Sequence, residues 1–211
     1  MIQAAHLNPT ASFVWGLLHA KKMGILPTLR NGSKSRDLLE ATHREIGRLY
    51  TNLITFRKTI SPQIILGKHI PKGVFLACSP VVTARDPTLF PNPDKFWPQR
   101  WLTATGQFDE TRVKKTERYG NYNHFGKGEH ACPGEKVARN FLLDICWRTF
   151  LGNNKDPGYD FEIISGTKDG TGIDNVGVEG AWATDNLGTP FEKGGPIKVK
   201  FIKRTFSGVG D

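Results

Sequence analysis

Apolar residues recur at three- and four-residue steps in three stretches of the chain, and each stretch predicts a helix. In residues 1–20, Ala4, Leu7, Ala11, Val14, Trp15 and Leu18 share a face, with Pro9 expected to break or kink it. In residues 36–50, Leu38, Leu39, Thr42, Ile46 and Leu49 form the apolar stripe, and Ser35 offers an N-cap. In residues 135–151 the stripe is Val137, Ala138, Phe141, Leu142, Ile145 and Cys146. Between the first two helices, residues 21–35 are turn-rich and polar and read as a loop. Residues 57–80 read as a β-unit, with strands over 59–66 and 73–78 joined by a turn at Pro71 and Gly73. Proline-fixed turns follow at Arg85-Asp86-Pro87 and Phe90-Pro91-Asn92-Pro93, and residues 103–124 are polar with few large apolar side chains. Residues 159–164 and 197–202 alternate as strands do, within a C-terminal β region over 159–204. Residues 166–195, rich in Gly, Asp, Asn and Thr, read as solvated loops, and 205–211 as a disordered tail. The expected class is mainly α with small β-sheets (α+β).

The bulk numbers narrow the setting. The chain has 211 residues, 38% of them hydrophobic and 10% aromatic, enough for one domain with a sizeable core. Its net charge of +9 comes from scattered Lys and Arg with no dense basic run. Nucleic acid is therefore not the natural partner; an acidic redox protein or an anionic membrane surface fits a basic face better. Three cysteines without a Cys-x-x-Cys spacing do not build a disulfide scaffold, which points to a reducing setting with Cys78 and Cys146 as core residues. Residues 1–20 do not read as a signal peptide, and the apolar stretch 11–20 is expected to be too short to span a bilayer.

Chemistry concentrates in residues 125–134, Phe125-Gly126-Lys127-Gly128-Glu129-His130-Ala131-Cys132-Pro133-Gly134. Three glycines and a proline in ten residues demand a shaped loop. Cys132 sits on that loop just ahead of the third helix. Outward-facing amides and the positive end of a helix favour a thiolate there. Such a group is a nucleophile or a metal ligand; the bland alternative is a buried small hydrophobe.

The motif Phe125-x-x-Gly128-x-His130-x-Cys132-x-Gly134 resembles the haem-binding loop of the cytochromes P-450. The resemblance implies that the Cys132 thiolate is the proximal iron ligand of haem b, with Phe125, Gly126 and Gly134 shaping its loop. Two more features support it. Glu45 and Arg48 stand three apart on one helix, 84 residues before Cys132 in the case of Arg48, and Phe96-Trp97-Pro98-Gln99-Arg100-Trp101 resembles the family's aromatic-x-Pro-x-Arg-aromatic segment. In the family the Glu and Arg of the helix lock to the second Arg, so a buried Glu45–Arg48–Arg100 network is expected. On its own, the Glu45–Arg48 pair would read as an ordinary surface ion pair. Arg57 and His130 are expected to reach haem propionates, with a solvent-facing Arg as the alternative for Arg57. Residues 183–189 would lie near substrate.

By the same resemblance, residues 1–20 are the distal helix over the iron. Where the family carries a small pair, an acid and a threonine, this chain has Ala4-Ala5-His6-Leu7-Asn8, with Thr10 two residues late. Asn8 and Thr10 are the candidate catalytic residues, although Asn8 could instead bond backbone freed by Pro9. The departure resembles the branch of prostacyclin synthase and the sterol 7α-hydroxylases. Residues 1–204 would be the C-terminal haem-binding part of a longer protein, with a membrane anchor in the missing N-terminal half. The implied activity is insertion of one oxygen atom from O2 into an apolar, lipid-, sterol- or terpenoid-like substrate. Electrons would come from an NADPH-dependent reductase at the cytoplasmic face of the endoplasmic reticulum. The alternatives are a haem-thiolate isomerase or dehydratase of oxygenated lipids, and an inactive truncated remnant.

Overall fold

A computed structural model describes residues 2–31, 35–50, 55–118, 125–126, 128–165, 191–192, 195–196 and 198–206. It begins with three helices: α1 (Ile2–Lys22), α2 (Leu26–Asn31) and α3 (Ser35–Tyr50). Four short strands follow, β1 (Thr55–Lys58), β2 (Gln63–Ile65), β3 (Lys68–Ile70) and β4 (Phe75–Cys78). Then come α4 (Pro80–Ala84), a 3-10 turn (Pro98–Trp101) and α5 (Glu110–Arg118). A second 3-10 turn (Gly128–His130) leads into α6 (Glu135–Asn140), a π-helical stretch (Phe141–Trp147) and α7 (Arg148–Leu151), which run on without a gap. The chain closes with β5 (Tyr159–Ser165), β6 (Phe191–Glu192), β7 (Gly195–Pro196) and β8 (Lys198–Lys203). The described residues are thus mainly helical, with four two-stranded antiparallel sheets, an α+β arrangement.

Helix α3 lies at the centre. It packs against α1, α2, α4, the π stretch and the first 3-10 turn. Leu38, Leu39, Ile46 and Leu49 join Trp15, Leu18, Leu143, Trp147, Phe150 and Phe161 in one apolar core. Ala41, Ala84, Phe90 and Trp101 form a second, smaller one. Unlike an ordinary amphipathic helix, α3 also buries His43, Arg44, Glu45 and Arg48. Gly16 marks a close approach between α1 and its neighbours. A Cβ there would stand 2.7 Å from Ile46 Cδ1 and 2.8 Å from Trp147 Cζ2, so the hydrogen of glycine is what lets the elements meet.

Several expectations change. Helix α1 continues through Pro9 with no break. Proline removes one backbone bond of many, and past it Trp15, Leu17, Leu18 and Ala20 are buried in the core. Residues 21–35 are not simply a loop. They carry α2, whose Leu26 and Leu29 are buried, with Pro27 in its first turn where the missing N–H costs nothing. The polar run 103–124 holds α5, which exposes most of its surface.

The β-unit is two nested hairpins rather than one. The outer pair is β1–β4, in which Phe56 faces Ala77 and Lys58 faces Phe75. The inner pair is β2–β3, in which Ile64 faces His69 and Ile65 faces Lys68. The inner turn is Leu66-Gly67, both with positive φ (49° and 74°), as a two-residue hairpin turn of the mirror-image type requires. Pro71 and Gly73 link the inner pair to the outer. Cys78 is exposed, not a core residue; it ends β4, which among the described residues pairs with β1 alone in a two-stranded sheet. Cys146 is half-buried, and burial raises its thiol above the ordinary value.

The 135–151 helix also buries a different side from the one its spacing suggested. Leu142, Leu143, Trp147, Phe150 and Leu151 are buried, while Val137, Phe141 and Ile145 are exposed. Part of that side runs through the π stretch. Its i→i+5 bonding brings Leu142 and Trp147, five apart, to the same side, which a 3.6-residue period does not anticipate. Strands β5 and β8 fall on the alternating runs 159–164 and 197–202, and they pair with each other antiparallel, Tyr159 with Lys203 through Phe161 with Phe201.

Two buried histidines make the fold pH-sensitive. His19 shares a hydrogen bond with the Tyr50 hydroxyl and stacks on Phe96 at 4.1 Å, and burial, with Lys22 adding, pushes it down to about 3. His43 is pushed down to about 3 by burial, reinforced by Arg139 and Arg44. The unfolded chain protonates its histidines near 6.5, as these folded ones do not. Below 6.5 the unfolded state therefore binds more protons, so stability is complete above 6.5 and falls as pH drops toward 3. Each histidine is expected to contribute a loss on the order of 1 kcal/mol per pH unit in that window. Urea midpoints measured between about pH 7 and about pH 5 test this, with His43→Phe reducing the slope. An identical slope in the variant would refute the assignment.

Candidate cofactor site

The best-defined polar assembly is built on Glu45. Its side chain is fully buried, as is that of Arg48, and that of Arg100 is 4% exposed. One carboxylate oxygen accepts from Arg48 Nη2 at 2.7 Å, the backbone N–H of Trp97 at 2.9 Å and Arg100 Nε at 3.0 Å. The other accepts from Arg48 Nε at 2.9 Å and the Trp101 indole N–H at 2.8 Å. The two guanidiniums then collect carbonyls. Arg48 donates to Ala84 and Pro93, each at 2.6 Å, and to Lys95 at 3.2 Å. Arg100 donates to Pro91 at 2.9 Å and Asn92 at 3.1 Å. Rings cover the cations. Arg48 lies 5.2 Å from the Phe90 centroid and Arg100 5.1 Å from that of Trp97. Burial lowers Arg100 from its ordinary value, against the opposing pull of Glu45.

The local sequence explains the assembly. Residues three apart on α3 put Glu45 and Arg48 on one side of the helix. The proline-rich run 91–98 cannot form regular structure, so its carbonyls need other donors, which the planar forks of arginine supply. Three residues named from sequence are thus brought together, and Trp101 and the Trp97 amide join them. Trp101 was missed as a partner. The available signal was a tryptophan next to Arg100 whose indole N–H, once buried, needs an acceptor.

Cys132 lies elsewhere on the chain, exposed and unbridged. Its N–H donates to the Phe125 carbonyl at 2.7 Å, which closes the loop on itself. Gly126 and Gly128 hold positive φ of 77° and 70°, conformations that a side chain resists. Ala131 N–H bonds Gly128 O, and Ala138 N–H bonds Gly134 O as α6 begins. A Cβ on Gly134 would meet Cys132 Sγ at 3.7 Å, so glycine leaves the sulfur's flank open. Val137, Phe141 and Ile145, at four-residue steps beyond the loop, expose an apolar stripe. Among the described residues no group of three or more His, Cys, Asp or Glu could hold a bare metal ion. An open thiol followed by an apolar stripe suits a flat apolar cofactor whose metal needs one protein ligand, and the donor set fits haem in that respect.

The remaining sequence-named residues are placed as follows. Phe125 is half-buried. Arg57 is exposed on β1 and donates to the Phe56 carbonyl at 2.8 Å. Asn8 and Thr10 lie in α1, but their side chains, like that of His130, are outside the described residues, as are residues 183–189. The branch suggested by Leu7 and Asn8 rests on those undescribed side chains. No helix among the described residues is long and apolar enough to cross a membrane.

Comparison with known proteins agrees with this geometry. A family model described as Cytochrome P450 matches residues 31–150, which take in α3, the Glu45 assembly and the Cys132 loop. The cytochrome P450 monooxygenase pytD of Aspergillus terreus is 33% identical over 187 residues, 76% of this chain and 48% of the relative. The cytochrome P450 monooxygenase pyvB of Aspergillus violaceofuscus is 32% identical over 145 residues, 64% of this chain and 29% of the relative. The mitochondrial cholesterol side-chain cleavage enzyme of Mesocricetus auratus is 28% identical over 134 residues, 60% of this chain and 24% of the relative. The chain spans half the length of these relatives or less. With the family match covering more than half of its residues, and both the buried Glu45 assembly and the cysteine loop lying inside that match, the chain belongs to the cytochrome P450 family.

Proposed function

We propose that the chain is the haem-binding part of a haem-thiolate monooxygenase that inserts one oxygen atom from O2 into an apolar, lipid-, sterol- or terpenoid-like substrate. The observation that carries this reading is the exposed Cys132 thiol on a glycine-shaped loop at the head of a helix. Haem b, when bound, supplies the oxygen chemistry, which a thiolate ligand favours by pushing electron density toward the metal. The protein's share is placement. Cys132 would be the residue that holds the haem iron, and the Phe125 carbonyl accepts from its amide so that the loop keeps its shape. The Glu45–Arg48–Arg100 assembly fixes the backbone of residues 84–95, ahead of the cysteine loop. Arg57 and His130 would donate N–H groups to haem propionates, and Asn8 and Thr10 on α1 would handle protons in catalysis. An NADPH-dependent reductase at the cytoplasmic face of the endoplasmic reticulum supplies the electrons.

Leu7 and Asn8, standing where the family's acid and threonine are expected, favour a second reading, an isomerase or dehydratase of oxygenated lipids. Turnover of a lipid hydroperoxide without a reductase would select it.

The primary test is a ferrous–carbon monoxide difference spectrum of the full chain loaded with haem. A thiolate-type Soret band is expected, retained in Cys78→Ala and Cys146→Ala and abolished in Cys132→Ala. A band that survives Cys132→Ala removes the ligand assignment. No band in the unsubstituted chain would favour a remnant that does not hold haem.

A further inference from the structure

The short helix that follows the cysteine loop, α6, buries none of its side chains. Apolar packing of its own residues therefore does not fix it against the core. A chain of charges ties it down instead. Arg139 on α6 donates from Nη2 to one carboxylate oxygen of Glu40 on α3 at 2.9 Å. The other oxygen of Glu40 accepts from Arg36 Nη2 at 3.1 Å. Arg36 Nη1 donates to Asp144 in the π stretch at 2.6 Å, and Arg148 Nε stands 3.7 Å from the same Asp144 oxygen. Groups of alternating sign thus run from α6 through α3 to the π stretch. Glu40 is the centre of the chain and its best-covered member, 14% exposed against 40% for Arg139 and 49% for Arg36. The cysteine loop is joined directly to α6. Glu135 N–H donates to the Cys132 carbonyl at 3.3 Å, and Ala138 N–H to the Gly134 carbonyl at 2.8 Å. A shift of α6 therefore carries Cys132 and Gly134 with it.

We propose that Glu40 is a positioning residue for Cys132: by holding Arg139 it sets where α6 begins, and so where the sulfur stands relative to α3. The consequence for haem rests on the haem-thiolate reading above; the clamp itself does not. Partly exposed ion pairs contribute little to global stability. A six-residue helix with no buried side chain can open locally while the rest of the fold stays closed. Loss of the clamp should therefore loosen residues 132–140 and leave the core intact. In this Glu40 differs from Glu45, whose carboxylate is sealed from water among its donors.

Amide hydrogen exchange and the ferrous–carbon monoxide difference spectrum of the full chain, read together, test the inference. Glu40→Gln and Arg139→Gln should each speed exchange of the amides in residues 132–140 by about tenfold. Exchange in α3 and the urea midpoint should stay close to the parent's, while the thiolate-type Soret band falls. Arg139→Lys keeps the charge and should recover most of the band. Lys114→Gln breaks the exposed pair with Glu110 on α5 and should change neither readout. Unchanged exchange over 132–140 in Glu40→Gln would overturn the clamp. Exchange raised evenly along the chain would also overturn it, leaving a plain stability role. Faster exchange over 132–140 with a full band would show that the loop holds Cys132 by itself and would overturn the positioning role. If the unsubstituted chain gives no band, the haem reading fails and exchange alone decides: local loosening supports the clamp, and its absence overturns it.

Discussion

Glu45→Ala is expected to cost about 3–5 kcal/mol or more and to leave a chain that does not fold stably at room temperature. The carboxylate is the acceptor for five N–H donors, three of them on two buried guanidiniums. Without it, two like charges remain close together away from water, and the Trp101 indole N–H loses its acceptor. Each orphaned neutral donor adds about 1–3 kcal/mol to the loss. Glu45→Gln keeps oxygen on one side only and should fall between the two. The measurement is a urea titration followed by circular dichroism. A midpoint for Glu45→Ala within experimental error of the parent would show that the assembly does not hold residues 84–95, and with it the bracing role proposed for that assembly. An ion pair is usually weak support for stability, and this case differs because the charges are already out of water and their other donors are spoken for by carbonyls.

Trp147→Ala should destabilise the fold by about 3–5 kcal/mol through the cavity it opens. The indole is 1% exposed and meets Phe13 edge-on at 5.5 Å and Phe150 at 6.4 Å. It fills the space above Gly16, where α1, α3 and the π stretch converge. Neighbours on three elements cannot all collapse into the hole at once, so the upper part of the range is expected. The same geometry predicts the sign of a double-mutant coupling. Gly16→Ala alone pushes into the indole and Ile46, whereas in Trp147→Ala the indole contact is gone and the flexible end of Ile46 can turn into the vacated space. The pair should therefore lose less than the sum of the single losses, by about 1 kcal/mol. Strict additivity in denaturant titrations would mean that the two positions do not share the contact described.

Much of the site could be read from residue order alone. A glycine-rich loop around Cys132 that runs into a helix follows from local backbone preference, and the structure has a helix beginning at Glu135. Glu45 and Arg48 lie on one side of α3 by spacing. Strands β5 and β8 follow from alternation, although what pairs with what is a matter of long-range geometry. Local rules misled where a distant partner changed the balance. Helix α2 forms in a turn-rich run because Leu26 and Leu29 find a core, and α1 tolerates Pro9 because the residues after it are buried.

What the chain order settles by itself is local: which stretches coil, where the backbone must turn, and which side chains could bind a metal or pair with one another. Whether Glu45 sits in water or in a sealed network, which side of the 135–151 helix is buried, and which apolar side chains are left uncovered on β2–β3 are decided in three dimensions. The reason is that desolvation depends on everything surrounding a group at once. The groups that seal Glu45 come from residues 48, 97, 100 and 101, and no window on the sequence shows them meeting.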